Sequence, residues 1–206
     1  MIVESELAHG LETLHVPATG DVEKKLLDYV ALIRKWNRVY NLTALREPEK
    51  MLTHHVLDSV AVAPHLGGRT LLDVGSGAGL PGIPLAVVMP HLHVTLLDSN
   101  QKKSAFQQQA VIELALTNLD VVNARVETWN APQAFEVVVS RAFSDLTEFV
   151  AKAARFCATG GVMAAMKGVY PTEEIAHLPD TIDVKVLPLT VPGVDAARHL
   201  VLMRLS

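Results

Sequence analysis

Cysteine is all but missing from this chain: Cys157 stands alone among 206 residues. No intrachain disulfide can form, which fits a reducing compartment, and chemistry that needs two thiols is weakened. Long apolar runs are missing too. None approaches the roughly 20 residues of a membrane span, and the opening MIVESELAHG lacks the basic start and apolar centre of a secretion signal. A cytoplasmic protein without a membrane partner is expected. Positive charge is scarce: 18 Lys and Arg against 22 Asp and Glu give a net charge of −4 and a pI of about 6.1. Free nucleic-acid binders are usually basic. Contact with nucleic acid would therefore need a local patch or a target that itself contains protein. Internal repeats, low-complexity tracts and long linkers are absent as well. What abounds is apolar character, 50% of residues with a mean hydropathy of +0.26, enough for a sizeable core in one large domain or one domain with an added helical piece.

The first third reads as helix. Residues 1–20 are broken by Gly10, Pro17 and Gly20 and predict a short helix and a loop. From Asp21, a suitable N-cap, Val22, Leu26, Tyr29, Val30, Ile33, Trp36 and Tyr40 recur on one face of a long helix. Lys24, Arg34, Lys35 and Arg38 lie on the other face, either simply solvated or part of a phosphate-contacting surface. Residues 46–50 read as a charged connection and 54–66 as another helix, closed by Gly67-Gly68. Then the pattern changes. Strands are expected at 70–74, 93–97, 119–123, 136–140 and 162–166, with helices at 82–89, 101–116 and 145–157 between them. That alternation predicts a parallel sheet covered by helices on both faces. Strands at 184–189 and 199–205, with no helix between them, predict an antiparallel pair. The expected architecture is thus α/β: a mostly parallel seven-stranded sheet with an antiparallel C-terminal pair. An N-terminal helical extension (1–68) packs on the core domain (69–206).

The chain is organised around LLDVGSGAGLPGIPL, residues 71–85. A strand, a glycine turn and a helix bring backbone N–H groups up to a nucleotide-like ligand. The turn reads in two frames. Residues 77–82 satisfy GxGxxG, the dinucleotide fingerprint; residues 75–79 give GxGxG preceded by Asp73. The second frame puts its first glycine where the strand stops and keeps Pro81 out of the turn. It suits S-adenosylmethionine (SAM), which has no phosphate and needs room for its methionine chain. Gly75, Ser76 and Gly77 are the candidate contacts. Asp98 ends the second strand, where a carboxylate can accept from both ribose hydroxyls; capping the next helix is its alternative role, unless Ser99 or Asn100 does that. Val126 and Glu127 follow the third strand, the usual rim for an adenine ring, or form a solvated turn. Five parallel strands ending in an antiparallel pair are the layout of SAM-dependent methyltransferases with a Rossmann-like fold.

Beyond the turn, LLDS (96–99), ARVE (124–127), SRAF (140–143) and MKG (166–168) follow in order, with WNRVYNLTAL (36–45) and HHVLDS (54–59) ahead of it. Together these strings resemble the RsmG (GidB) family over nearly the whole chain. The resemblance implies SAM-dependent methylation of nitrogen seven of one guanine in 16S rRNA. Carried over by position, the family's cofactor contacts fall on Gly75, Leu80, Val126, Glu127 and Arg141. Asn41, Arg46 and His55 match its N-terminal segment, although a helix C-cap for Asn41 and a satisfied core group for His55 are the structural alternatives. One departure is Ala78, where many members have proline; it should change the stiffness of the turn and leave the chemistry alone.

The chemistry agrees. After the fourth strand the chain has Ser140-Arg141-Ala142-Phe143 in place of the Asn/Asp-Pro-Pro-Tyr motif that serves exocyclic amines. Cys157 falls in an expected helix as a structural thiol, so a carbon-methylating nucleophile is missing. A ring nitrogen with a free lone pair needs in-line positioning and no general base, and no catalytic residue is assigned. Arg141 is a candidate for a phosphate, the SAM carboxylate or a base, or for an internal pair with an acid such as Asp145. Phe143 is a candidate for stacking on the guanine, or for the core. Lys167, ending the fifth strand, is a candidate phosphate contact. His54-His55 and His91-x-His93 lack a completing ligand set, and no metal is expected. The expected partner is 16S rRNA within the small ribosomal subunit or its precursor, met by a monomer. A methyltransferase of this fold acting on a small molecule or protein, and a non-catalytic nucleotide-binding module, remain open from the residues alone.

Overall fold

A computed structural model describes residues 2–143 and 145–205. Helix α1 (Ile2–Thr13) leads into α2 (Gly20–Tyr40). Thr19, not Asp21, caps α2, its side chain accepting from the Val22 N–H. Asp21 sits inside the first turn instead, where its charge favours the helix dipole. The stripe of α2 is also corrected. Leu26, Tyr29, Val30, Leu32, Ile33 and Asn37 are buried, whereas Tyr40 is 44% exposed. Asn41 ends the helix in the left-handed region, at φ 46°.

The next helix starts earlier than its periodicity indicates, because Pro48 fits the first helical turn. It runs from α3 (Pro48–Met51) through a π-helical segment (Leu52–Leu57) into α4 (Asp58–Val60). A widened turn of this kind is frequent at functional sites. It carries His54 and His55, with Asp58 just beyond.

The sheet is β1 (Thr70–Val74), β2 (His93–Asp98), β3 (Leu119–Asn123), β4 (Phe135–Ser140), β5 (Cys157–Lys167), β6 (Ile182–Leu189) and β7 (Arg198–Leu205), in the order β3-β2-β1-β4-β5-β7-β6. β1 pairs in parallel with β2 and β4, β2 with β3, and β4 with β5; β7 runs antiparallel to β5 and β6. Between strands lie α5 (Gly82–Val88), α6 (Gln101–Glu113), α7 (Leu146–Ala153) and α8 (Thr172–Ala176). Alternate strand residues serve opposite faces, as the two-residue period requires. Leu71, Val137, Val139, Leu200 and Leu202 join α1, α2, α5, α6 and the π segment in one core; Leu72, Val138, Val201 and Met203 join α7 in the other. The N-terminal helices therefore share a continuous core with the sheet.

One expectation about Cys157 fails. The helix before β5 stops at Ala153, and Cys157 opens the strand opposite Phe135, partly exposed. The reason is β5 itself. Its pairing with β4 is irregular near Gly160 and Gly161, so those glycines lie inside a strand that begins upstream of them. Burial pushes the Cys157 thiol pKa up, and Cys157 sits at the end of β5 remote from the strands' C-terminal edge.

Candidate functional site

At the C-terminal edge of β1 the chain turns sharply. The N–H groups of Gly75 and Ser76 both donate to the Leu97 carbonyl, at 2.8 and 3.2 Å, and those of Gly79 and Leu80 return to the Ser76 carbonyl. Gly75 has φ 71°, and a Cβ there would lie 2.8 Å from the Ala142 Cβ. The turn thus passes the exit of β4 at a distance that only glycine permits.

Three neighbouring elements clamp this turn. Asp98 Oδ2 accepts from the Gly77 N–H at 2.8 Å, and its Oδ1 accepts from the Asn100 N–H at 2.8 Å. Asn100, not Asp98, caps α6. Gln107 Nε2 donates to Ser76 Oγ and to the Gly77 carbonyl, both at 2.8 Å. From α2, the buried Tyr29 hydroxyl donates to the Ala78 carbonyl at 2.6 Å. The helical extension therefore braces the turn directly. Below it lies Asp73, fully buried, with Oδ2 accepting from the Gly82 N–H at 2.9 Å and Oδ1 without a partner. Burial first, then the Asp98 charge, pushes its pKa up to about 7, against the Gly82 hydrogen bond and Arg141.

Three adjoining cavities follow the sheet edge. One of about 440 Å³ is lined by Gly75, Asp98, Lys103, Val126, Glu127 and Phe143. A second, about 170 Å³, lies over Gly75, Ser76, Gly77, Leu80 and Ala142, with Thr43, His55 and Arg141 on its far wall. A third, about 380 Å³, is lined by His54, His55, Asp58, Arg141, Lys167, Arg198 and His199. Gly75 and Ala142 separate the first two; His55 and Arg141 separate the second from the third.

Arg141 does not pair with Asp145, which caps α7 instead. It donates to Asp58 Oδ2 at 3.2 Å and to the His54 carbonyl at 3.4 Å. Arg198 Nε donates to the other Asp58 oxygen at 2.8 Å. One buried carboxylate thus orients two guanidiniums into the third cavity. His55 is held as a neutral ring: Nδ1–H donates to the His54 carbonyl, leaving Nε2 to accept from Thr43 Oγ at 2.7 Å. Burial above all, and next the Arg141 charge, lowers its pKa to about 4. Lys167 lines the third cavity, but its ammonium donates to Glu174 Oε2 at 2.7 Å and to the Phe143 carbonyl. Phe143 lies in the first cavity, packed on Phe149 at 5.2 Å, so it is not brought to the third cavity with Arg141. Asn41 and Arg46 are joined to each other at 3.2 Å, and Arg46 lines a separate hollow with Arg34 and Arg38.

Sequence reasoning missed Asp58, Arg198, Gln107, Tyr29 and the helix that supplies Glu174. Asp58 had a signal, since it lies three residues after His55 in HHVLDS and so shares its helix face. Arg198 had none, because only the antiparallel return of β7 brings it beside α4. Among the described residues no group of three His, Cys, Asp or Glu forms a metal cluster, and no helix is long and apolar enough to cross a membrane.

The GidB family profile, described as rRNA small subunit methyltransferase G, matches residues 22–201. A protein of Nitrosospira multiformis named ribosomal RNA small subunit methyltransferase G is 53% identical, with 97% of this chain and 96% of that protein covered. One of the same name from Laribacter hongkongensis is 54% identical, with 98% of each covered. Among solved structures, a SAM-dependent methyltransferase of Aquifex aeolicus shares the fold at a TM-score of 0.56 and 19% identity, over 79% of this chain and 96% of that one.

Proposed function

Because the chain belongs to the rRNA small subunit methyltransferase G family, we propose that its three cavities carry methyl transfer from SAM to nitrogen seven of a guanine in 16S rRNA. The transfer is a direct in-line displacement without a general base. Of the readings the residues left open, family membership favours rRNA over a small molecule or protein, and catalysis over a binding module.

The fit to SAM rests on the glycine turn. Its closeness to Ala142 leaves no room for a Cβ at Gly75, and the adjoining cavities match a ligand with a nucleoside at one end and an amino acid at the other. Asp98 would hold the ribose. Its two oxygens each accept one backbone N–H, and a carboxylate has further lone pairs to offer. Val126 and Glu127 would flank the adenine. Gly75, Ser76, Gly77 and Leu80 would line the methionine chain, with Arg141 beside its carboxylate. When bound, SAM supplies an electrophilic methyl group.

The acceptor follows from family membership, and one observation carries it: where enzymes that methylate exocyclic amines place an Asn/Asp-Pro-Pro-Tyr motif, this chain leaves β4 on Ser140-Arg141-Ala142-Phe143, with Arg141 held by Asp58 and the His54 carbonyl. In the third cavity Asp58 is engaged by two arginines and His55 has both ring nitrogens engaged. An exocyclic amine would need a group to take its proton; nitrogen seven of guanine has a lone pair ready and needs none. The residues contribute positioning, worth up to about 7–11 kcal/mol in well-oriented systems. The net charge of −4 favours the ribosomal subunit or its precursor over naked RNA, since a phosphate attraction alone would be weak and salt-sensitive. Borohydride and aniline cleavage of 16S rRNA tests this. A strain lacking the protein should lose one 7-methylguanine band that the parent shows; an unchanged band overturns the reading.

A further inference from the structure

We propose that the hollow between α2 and the loop after it seats an RNA backbone phosphate, apart from the cavities where methyl transfer takes place. The proposal rests on the rRNA reading above. The hollow, about 170 Å³, is lined by Arg34, Asn37, Arg38, Arg46 and Met51. No acidic side chain contributes to it. In an acidic protein, three arginines line it, and none of the three forms an ion pair among the described residues. Glu47, the acid next to Arg46, turns its carboxylate to the Arg46 backbone N–H. The lysines at the start of α2 behave differently: Lys24 pairs with Asp28 at 2.6 Å and Lys25 with Asp21 at 2.9 Å.

The hollow is rigidly built. Arg34 and Arg38, one turn apart, project to the same side of α2. Between them the buried Asn37 staples the following loop, donating to the Leu45 carbonyl and accepting from the Thr43 N–H, both at 3.0 Å. Arg46 is steered by Asn41 at 3.2 Å and keeps further N–H donors free. Forked guanidiniums of this kind match phosphate oxygens, and the three positive charges exceed the single negative charge of one backbone phosphate. The same loop forms the wall of the methyl-transfer site. Thr43 contacts His55 and lines the cavity over the glycine turn. A strand that delivers a base to the third cavity therefore passes over this loop with its backbone within reach of the arginines.

The test is steady-state methylation of purified small ribosomal subunits at several salt concentrations, with SAM affinity measured separately by calorimetry. In the Arg34→Gln/Arg38→Gln protein, KM for the subunit should rise about five- to tenfold. The slope of log(1/KM) against log[salt] should flatten by about 0.7–0.9, the share of one lost phosphate contact. kcat should change far less than KM, and SAM affinity should match the parent. Lys24→Gln removes one charge from the same helix and should leave KM and slope unchanged. An unchanged KM and slope in the double variant, or an equal effect of Lys24→Gln, overturns the proposal. Failure of the parent protein to methylate subunits at all would instead overturn the rRNA reading on which it rests.

Discussion

Replacing Asp58 by asparagine removes the one negative charge that Arg141 and Arg198 share. The asparagine keeps the volume and one carbonyl oxygen, so the change is electrostatic. The carboxylate is 6% exposed, whereas the two arginine side chains are 25% and 23% exposed. A fully buried pair broken on one side costs about 3–5 kcal/mol, an exposed pair about 0–1 kcal/mol. Here the carboxylate lies at the buried end and the guanidiniums retain some water. About 2–3 kcal/mol is therefore expected. With a urea slope of about 2 kcal/mol/M, the unfolding midpoint should fall by about 1 M. The cycle with Arg198→Gln separates pairing from packing. The double variant should be less destabilised than the sum of the single ones, because each already removes the shared bond. Methyl transfer by Asp58→Asn should fall by about a hundredfold as Arg141 loses its orientation. A midpoint within about 0.2 M of the parent, with an additive cycle, would refute the idea that Asp58 sets the two arginines.

Asp73 should make the protein less stable as pH rises. With its pKa raised to about 7 from 3.8, the folded state keeps a proton that the unfolded chain releases, so stability declines through that window by up to about 4 kcal/mol. Asp73→Asn should abolish the decline in urea titrations run from pH 4 to 8. His55 should act in the opposite sense, since its pKa lowered to about 4 from 6.5 makes stability fall as pH drops below 6.5, by up to about 3 kcal/mol. His55→Gln should flatten that acid limb. Gly75→Ala forces a Cβ toward Ala142 at φ 71°, and should weaken SAM binding by calorimetry about five- to thirtyfold if the strain of roughly 1–2 kcal/mol is relieved by the turn shifting into the cofactor cavity.

The sheet and the glycine turn were legible because their signals are local. β1 and β3 span the stretches expected for them, 70–74 and 119–123, and β7 carries a continuous buried apolar run, Leu200 to Met203. Helix ends were less legible. Pro48 starts a helix inside a segment whose charge reads as a loop, and β5 opens at Cys157, inside a stretch whose periodicity reads as helix. The site divided along the same line. Gly75, Asp98 and Arg141 stand at strand ends, so topology alone takes them to one edge. Their partners depend on contacts remote in sequence. Arg141 finds Asp58 across 83 residues and Asp58 finds Arg198 across 140. Tyr29 looked like one more core residue on a helix stripe, yet its hydroxyl reaches the glycine turn 49 residues away.

Mass spectrometry of nucleosides tests the central claim most directly. Small ribosomal subunits lacking the modification are incubated with the purified protein and SAM carrying an isotopically labelled methyl group, and the 16S rRNA is digested. The account predicts label in 7-methylguanosine, at about one methyl per subunit, with the yield collapsing in Asp58→Asn. Label in an exocyclic-amine or carbon-methylated nucleoside would contradict it, as would full yield from the variant.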